Sequence, residues 1–207
     1  MLAVVPTVLI KMLIVLTGRT AAGKDTIQSQ LLLKYSNVKK VITTTSRSPR
    51  IGERNGVNYF FLSEEEFRRK ISQGEFVEYV EYGGNLYGTY KSEIDKALDQ
   101  DSIWRIDPSR AGQIRDFIKQ SFPPETAEKI LKGLMVIFIT CAEDVILQRL
   151  KERNLPEDEI NKRMRDDQLI WNKYQQNYDR VIVNVPGKLD QTIEQIVKLI
   201  ETKKTGL

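Results

Sequence analysis

Continuous apolar runs alternate along the chain with stretches whose apolar positions recur every three or four residues. Val8–Thr17 and Leu134–Thr140 are nearly unbroken runs, the pattern of strands buried on both faces. Shorter β-rich runs lie at Lys39–Thr45, Ser102–Asp107 and Asp179–Asn184. Helical spacing predicts helices over Lys24–Tyr35, Lys91–Asp99, Ser109–Gln120, Glu143–Arg153, Glu157–Asn177 and Leu189–Lys203. Ser63-Glu-Glu-Glu66 has capping-box spacing and starts a short helix reaching Gln73. Phe76–Tyr82 and Asn85–Thr89 flank Gly83-Gly84 and predict a hairpin, and Pro123-Pro124 marks a break. Strands alternating with helices imply an α/β fold, a parallel sheet flanked by helices with right-handed crossovers. The block from 46 to 89 is antiparallel in character and predicts a lobe set into that sheet.

Met1–Leu16 is mostly apolar, but Pro6 and Lys11 interrupt it and it is shorter than the roughly 20 residues that span a bilayer. It leads straight into a glycine loop, so it is read as a buried strand, with residues 1–7 an extension and Met12 an alternative start.

Composition narrows the chemistry. The chain has 207 residues, 41% hydrophobic and 29% charged, which describes one compact domain. It has no histidine and a single cysteine, Cys141. Zinc sites built on His or Cys, haem ligation and Ser–His or Cys–His nucleophiles are thereby excluded, as is a disulfide framework. A cytoplasmic location is expected. The net charge of +4 forms no basic stripe, so neither nucleic acid nor a membrane is an expected partner. An enzyme built this way works with Lys, Arg, carboxylates, backbone amides and an oxygen-held metal.

Gly18-Arg19-Thr20-Ala21-Ala22-Gly23-Lys24 fits G-x-x-x-x-G-K between a predicted strand and a predicted helix. Glycines let the backbone wrap phosphate oxygens, inward amides and the helix N-terminus attract them, and Lys24 reaches the β- and γ-phosphates. A Ser or Thr that binds Mg²⁺ belongs next; here Asp25 stands there, followed by Thr26. Either Asp25 takes the metal contact or the metal site is altered. Downstream, Arg47 and Arg50 sit three apart on a polar loop with Tyr59 beyond, two guanidinium forks and a hydroxyl suited to a phosphate dianion.

The string Arg47-Ser-Pro-Arg50-x-Gly-Glu-x-x-Gly56-x-x-Tyr59 closely resembles the GMP-phosphate motif of guanylate kinases. Glu78, Gly84-Asn-Leu-Tyr87-Gly88-Thr89, Arg149-Leu-x-x-Arg153, Ile160-Asn-Lys-Arg163 and Val181-Ile-Val-Asn184 follow in that family's order. The resemblance runs from about Leu13 to Lys203 and implies a single domain over 8–203. Its implied parts are a P-loop core (8–45, 90–142, 178–203), an inserted mixed β/α GMP-binding lobe (46–89) and a helical lid (143–177).

The resemblance further implies that Arg47, Arg50, Tyr59 and Tyr87 hold the GMP phosphate. Glu78 would accept from guanine N1–H and the 2-amino group, Thr89 would lie near O6, and Thr43 would line the pocket. Asn184 would stand on the adenine side, and residues 18–26 would bind ATP. Arg149, Arg153 and Arg163 would be lid arginines stabilising the moving phosphoryl group. Asp107 would belong to an acidic group near substrate and metal, so Asp25 and Asp107 are the metal candidates. The implied activity is Mg²⁺-dependent transfer from ATP to GMP or dGMP by a monomer or homodimer. Besides Asp25, four features depart from the family pattern: Arg105 replaces its first strand-end aspartate, Arg-Asp-Asp167 and Ile170 follow Arg163 where small and acidic residues are usual, Val185-Pro186 replaces the acidic pair after Asn184, and 121–133 is longer than the corresponding loop. Asp25 and Arg105 are expected to compensate one another. Trp104 and Trp171 are read as packing residues, Cys141 as a buried inert one, and Arg165 has no assigned role. Two alternatives stay open: a related kinase for another nucleoside monophosphate or a sugar phosphate, and a noncatalytic guanylate-kinase-like binding module.

Overall fold

A computed structural model describes residues 11–205. The predicted extension at 1–7 and the start of the first strand at 8–10 lie outside the described residues. The central strand β1 (Leu13–Gly18) is buried along its whole length. A strand covered on both faces must be apolar at every position, and alternate residues go to opposite sides. Met12, Ile14 and Leu16 accordingly join one core cluster with Ile27, Leu31, Ile193 and Ile196. Leu13 and Val15 join the other, with Trp104, Ile114, Ile118 and Ile130.

β1 is followed by α1 (Lys24–Lys34) and the short β2 (Lys39–Lys40). Two further strands of the same sheet, β7 (Ser102–Arg105) and β8 (Leu134–Thr140), flank β1 in parallel. With β9 (Arg180–Val183) the order is β2-β7-β1-β8-β9. The predicted strand over 39–45 divides: its first residues enter this sheet, whereas β3 (Thr44–Thr45) enters a second one. That second sheet has the order β4-β3-β6-β5, with β4 (Phe60–Phe61), β5 (Phe76–Tyr82) and β6 (Asn85–Tyr90). Between β4 and β5, Ser63 caps α2 (Glu64–Ser72) by accepting the Glu66 amide at 3.1 Å. Gly83 and Gly84 turn the β5–β6 hairpin at φ +57° and +71°, the pair of positive angles a two-residue hairpin turn demands. Phe67, Phe76 and Leu86 form the lobe's own core.

The predicted helix at 91–99 is α3 (Lys91–Asp95) continued by a 3-10 turn at 96–98. The predicted helix over 109–120 is two helices, α4 (Pro108–Ala111) and α5 (Ile114–Ser121). They meet at Gly112 and Gln113: Gln113 leaves helical angles, and at Gly112 a Cβ would stand 2.5 Å from the Tyr174 ring, so only glycine fits there. The stretch read as a long loop at 121–133 holds α6 (Pro124–Gly133). Pro124 at the first turn forfeits only an amide that has no helical partner, and Ala127 and Ile130 bury the helix against the sheet. Strand β7 ends at Arg105 instead of Asp107, because the Asp107 carboxylate turns to cap α4. The helices α7 (Glu143–Glu152) and α8 (Glu157–Tyr174) occupy the region expected to form a lid, and α9 (Leu189–Thr205) follows β9. Among the described residues, no helix is long and apolar enough to cross a membrane.

Gly18 ends β1 at φ +140°, where a Cβ would come within 1.9 Å of the Ile139 carbonyl oxygen. Gly18→Ala is therefore expected to cost more than about 2 kcal/mol and to lower Tm by at least about 4–8 °C in a thermal melt. An unchanged Tm would mean that the β1–β8 contact relaxes at no cost.

Candidate active site

The loop between β1 and α1 is held from three sides. Ala21 takes φ +53° and Gly23 φ +93°, which curls the backbone. Arg149 on α7 donates to the Ala21 carbonyl at 2.8 Å, and buried Asn184 donates to the Ala22 carbonyl at 2.9 Å. The other end of the Asn184 amide accepts from Thr192 at 3.3 Å, so this side chain braces the loop. Lys24 lies under the loop and donates to the Gly18 and Arg19 carbonyls at 2.8 and 2.6 Å. Burial, with the Arg105 guanidinium as the next cause, pushes its ammonium down to about 8. Thr26 is exposed on the first turn of α1.

Asp167 on α8 accepts the Thr20 amide at 2.8 Å, so a lid carboxylate occupies one of the loop's inward donors. Burial raises the Asp167 carboxyl, with the Thr20 amide opposing it. Arg19 lies 3.9 Å from both Asp167 and Glu143. Arg163 pairs with Glu159 at 2.7 Å and stacks over Tyr82, 5.7 Å away, joining lid to lobe. Arg153 is exposed at the end of α7 and takes no part in these contacts.

In the lobe, Arg47 holds both oxygens of Glu53 at 2.9 Å and lies 5.6 Å above the Tyr59 ring. The Arg50 amide donates to the same Glu53 at 2.7 Å. Tyr59 and Tyr87 meet edge to face at 6.4 Å. The arginine loop is thus folded around Glu53, which the sequence reading quoted within its motif without assigning it a role. Thr43 precedes β3, and its carbonyl accepts the Phe60 amide at 2.9 Å.

Glu78 is 4% exposed and Thr89 wholly buried. A register shift between Phe76 and Glu78 sets Glu78 opposite Thr89, the re-aiming a β-bulge produces. Thr89 donates to Glu78 Oε1 at 2.7 Å and accepts from the Trp104 indole at 2.9 Å. A hydroxyl has one hydrogen, so the indole donor directs it onto the carboxylate. Burial nevertheless drives the Glu78 carboxyl up to about 7; the Thr89 bond opposes this, Asp107 adds to it, and Arg110 opposes it. Trp104 is the packing residue expected of it and a polar one as well, which its single N–H could have signalled. Trp171 packs against Phe138, which in turn stacks on Tyr178, and Cys141 is buried with its thiol raised by burial.

Between lobe and loop stands Arg105. It pairs with Asp25 at 2.7 Å and donates to the Tyr59 hydroxyl at 2.5 Å. Two of the departures from the family pattern, Asp25 and Arg105, are thus in direct contact. Asp107 accepts the Ser109 amide at 2.8 Å and the Ser109 hydroxyl at 2.5 Å, so its carboxylate first serves as a helix cap. Lys40, absent from the sequence reading, has its Nζ 5.7 Å from the centre of the Tyr59 ring. Its ammonium is lowered by burial and then by Arg105.

The guanylate kinase family model matches residues 11–203. The chain is 32% identical over 189 residues to the guanylate kinase of Fusobacterium nucleatum, covering 91% of this chain and 95% of that one. It is 33% identical over 192 residues to that of Clostridium perfringens strain 13, covering 91% and 80%. The crystal structure of guanylate kinase from Anaplasma phagocytophilum shares the fold with a TM-score of 0.68 at 24% identity, over 95% of this chain and 87% of that one. The chain belongs to the guanylate kinase family.

Proposed function

We propose that the chain transfers the γ-phosphoryl group of ATP to the phosphate of GMP or dGMP. The observation that carries this reading is the buried Glu78, held by Thr89 within a lobe that Arg105 joins to the phosphate loop. A carboxylate accepts guanine's two adjacent donors, whereas adenine would set a lone pair against it. Arg47, Arg50, Tyr59 and Tyr87 are assigned to the acceptor phosphate, and Thr43 to the pocket wall.

In the transfer, an oxygen of the GMP phosphate bonds to the γ-phosphorus as the bond to the β–γ bridging oxygen breaks, and that electron pair leaves with ADP. No proton need move, so a chain without histidine loses nothing. Lys24 leaves the Gly18 and Arg19 carbonyls for the phosphates, and Asp167 yields the Thr20 amide to a phosphate oxygen. Arg149, already against the loop, and Arg163, on the lid's lobe side, neutralise charge as the lid closes; Arg153 joins them on closure. Asn184 acts through the loop it braces and borders the adenine side.

Mg²⁺ would be held mainly by phosphates and water, with the oxygens that Asp25 and Asp107 do not commit to Arg105 and Ser109 as its protein donors. When bound, the metal neutralises charge on the β- and γ-phosphates. A cytoplasmic monomer or homodimer completes the proposal, and the buried single cysteine is compatible with a reducing compartment.

The test is pH-dependent kinetics. Recognition needs ionised Glu78, whose carboxyl titrates at about 7, so kcat/KM for GMP should fall about tenfold per unit below pH 7 and level off above it. Charge on Lys24 is needed for ATP, so kcat/KM for ATP should decline above about pH 8. Guanosine carries no phosphate, so its binding isolates the Glu78 limb. A guanosine affinity that stays flat from pH 6 to 8 contradicts the assignment of Glu78.

A further inference from the structure

We propose, on the phosphotransferase reading above, that Arg105 is a further catalytic residue, whose guanidinium holds the acceptor phosphate between Tyr59 and the phosphate loop. The strand β7 ends at Arg105, and the side chain reaches two elements from there. One terminal nitrogen faces Asp25 at 2.7 Å, the residue after Lys24; the other donates to the Tyr59 hydroxyl at 2.5 Å. Tyr59 is also the ring that Arg47 and Lys40 approach, at 5.6 and 5.7 Å. A guanidinium has five N–H donors, and the contacts to Asp25 and Tyr59 leave further donors to meet a phosphate.

Stability does not explain the placement. The Asp25 side chain is 77% exposed, and such surface pairs contribute little to folding. Arg105 also opposes the positive charge of Lys24 and Lys40. Lys40, Arg105 and Lys24 thus place three cations near one another, with Asp25 the carboxylate that opposes them, and a polyanion entering there would relieve the repulsion. Arg105 has planar paired donors that match a phosphate, and it stands where the acceptor and donor phosphates must meet. Asp25 is then the positioning residue: it carries the countercharge that holds the guanidinium across the cleft, in place of the hydroxyl usual at that position.

The experiment compares calorimetric binding of GMP and of guanosine, with steady-state kinetics under Mg-ATP, for the wild-type chain, Arg105→Gln, Arg105→Lys and Asp25→Ser. Arg105→Gln should weaken GMP about 10- to 100-fold and leave guanosine within twofold, because only the phosphate contact is lost. Its kcat should also fall, and Arg105→Lys should recover part of both through its charge. Asp25→Ser should raise KM for GMP with guanosine binding unchanged. Equal weakening of GMP and guanosine, or GMP binding within twofold of wild type, overturns the proposal. A wild-type chain that turns over no GMP, yet prefers GMP to guanosine through Arg105, would sink the phosphotransferase reading alone.

Discussion

Glu78→Gln is expected to lower kcat/KM for GMP about 100- to 1,000-fold and, at the same time, to stabilise the folded chain at pH 8. The loss follows from hydrogen bonding: an amide must turn either its NH₂ toward guanine's donors or its single oxygen to one of them, and a buried donor stays unpaired. The gain follows from burial. The carboxyl rises from 4.5 to about 7 in the folded chain, so folding favours the neutral form. This group's contribution is best below pH 4.5, declines as pH climbs through the interval to 7, and is least favourable above it. The charged side chain costs about 3 kcal/mol at pH 8, from 2.5 units at 1.36 kcal/mol each. Denaturant melts should show the variant's advantage growing from little at pH 4 to most of that figure at pH 8. An advantage independent of pH would contradict the burial account. Destabilisation spent on recognition is a trade that binding sites commonly make.

Lys24→Met is expected to reduce kcat about 1,000-fold or more, with Tm at pH 7 equal to or above that of the wild type. On the phosphotransferase reading the lysine supplies charge at the phosphates where it builds up during transfer, from a position inside the loop that the Arg149 and Arg105 guanidinium groups do not occupy. Its hydrogen bonds to the Gly18 and Arg19 carbonyls are lost in the variant. Relief of a buried ammonium, whose pKa is pushed down to about 8, offsets them. A thermal melt beside single-turnover kinetics separates the effects. A large fall in Tm with kcat near wild type would make Lys24 a structural residue.

Much of this was legible in residue order because the physics is local. β1 and β8 read as buried strands since both faces are covered, and the Gly83-Gly84 turn demanded positive φ at two adjacent residues. α6 was missed because Pro123-Pro124 signals a break equally well before a helix as between elements. At the division of 109–120, Gly112 packs against Tyr174, sixty-two residues away, and no local signal carries that contact. In the site, the residue types at 24, 47, 78 and 105 were visible in the sequence. The Trp104–Thr89–Glu78 chain and the Asp167–Thr20 contact join separate elements, so only the fold reveals them. Arg153 shows the converse: its motif places it with Arg149 and Arg163, yet it stays exposed in this state.

The most direct test of the whole account is ADP release under Mg-ATP with GMP, dGMP, AMP, CMP and UMP in turn. GMP and dGMP should turn over at least about 100-fold more efficiently than AMP, the margin expected when a buried carboxylate meets the wrong base edge. That preference should vanish in Glu78→Gln. Turnover of AMP equal to that of GMP in the wild-type chain, or no turnover with any acceptor, would contradict it.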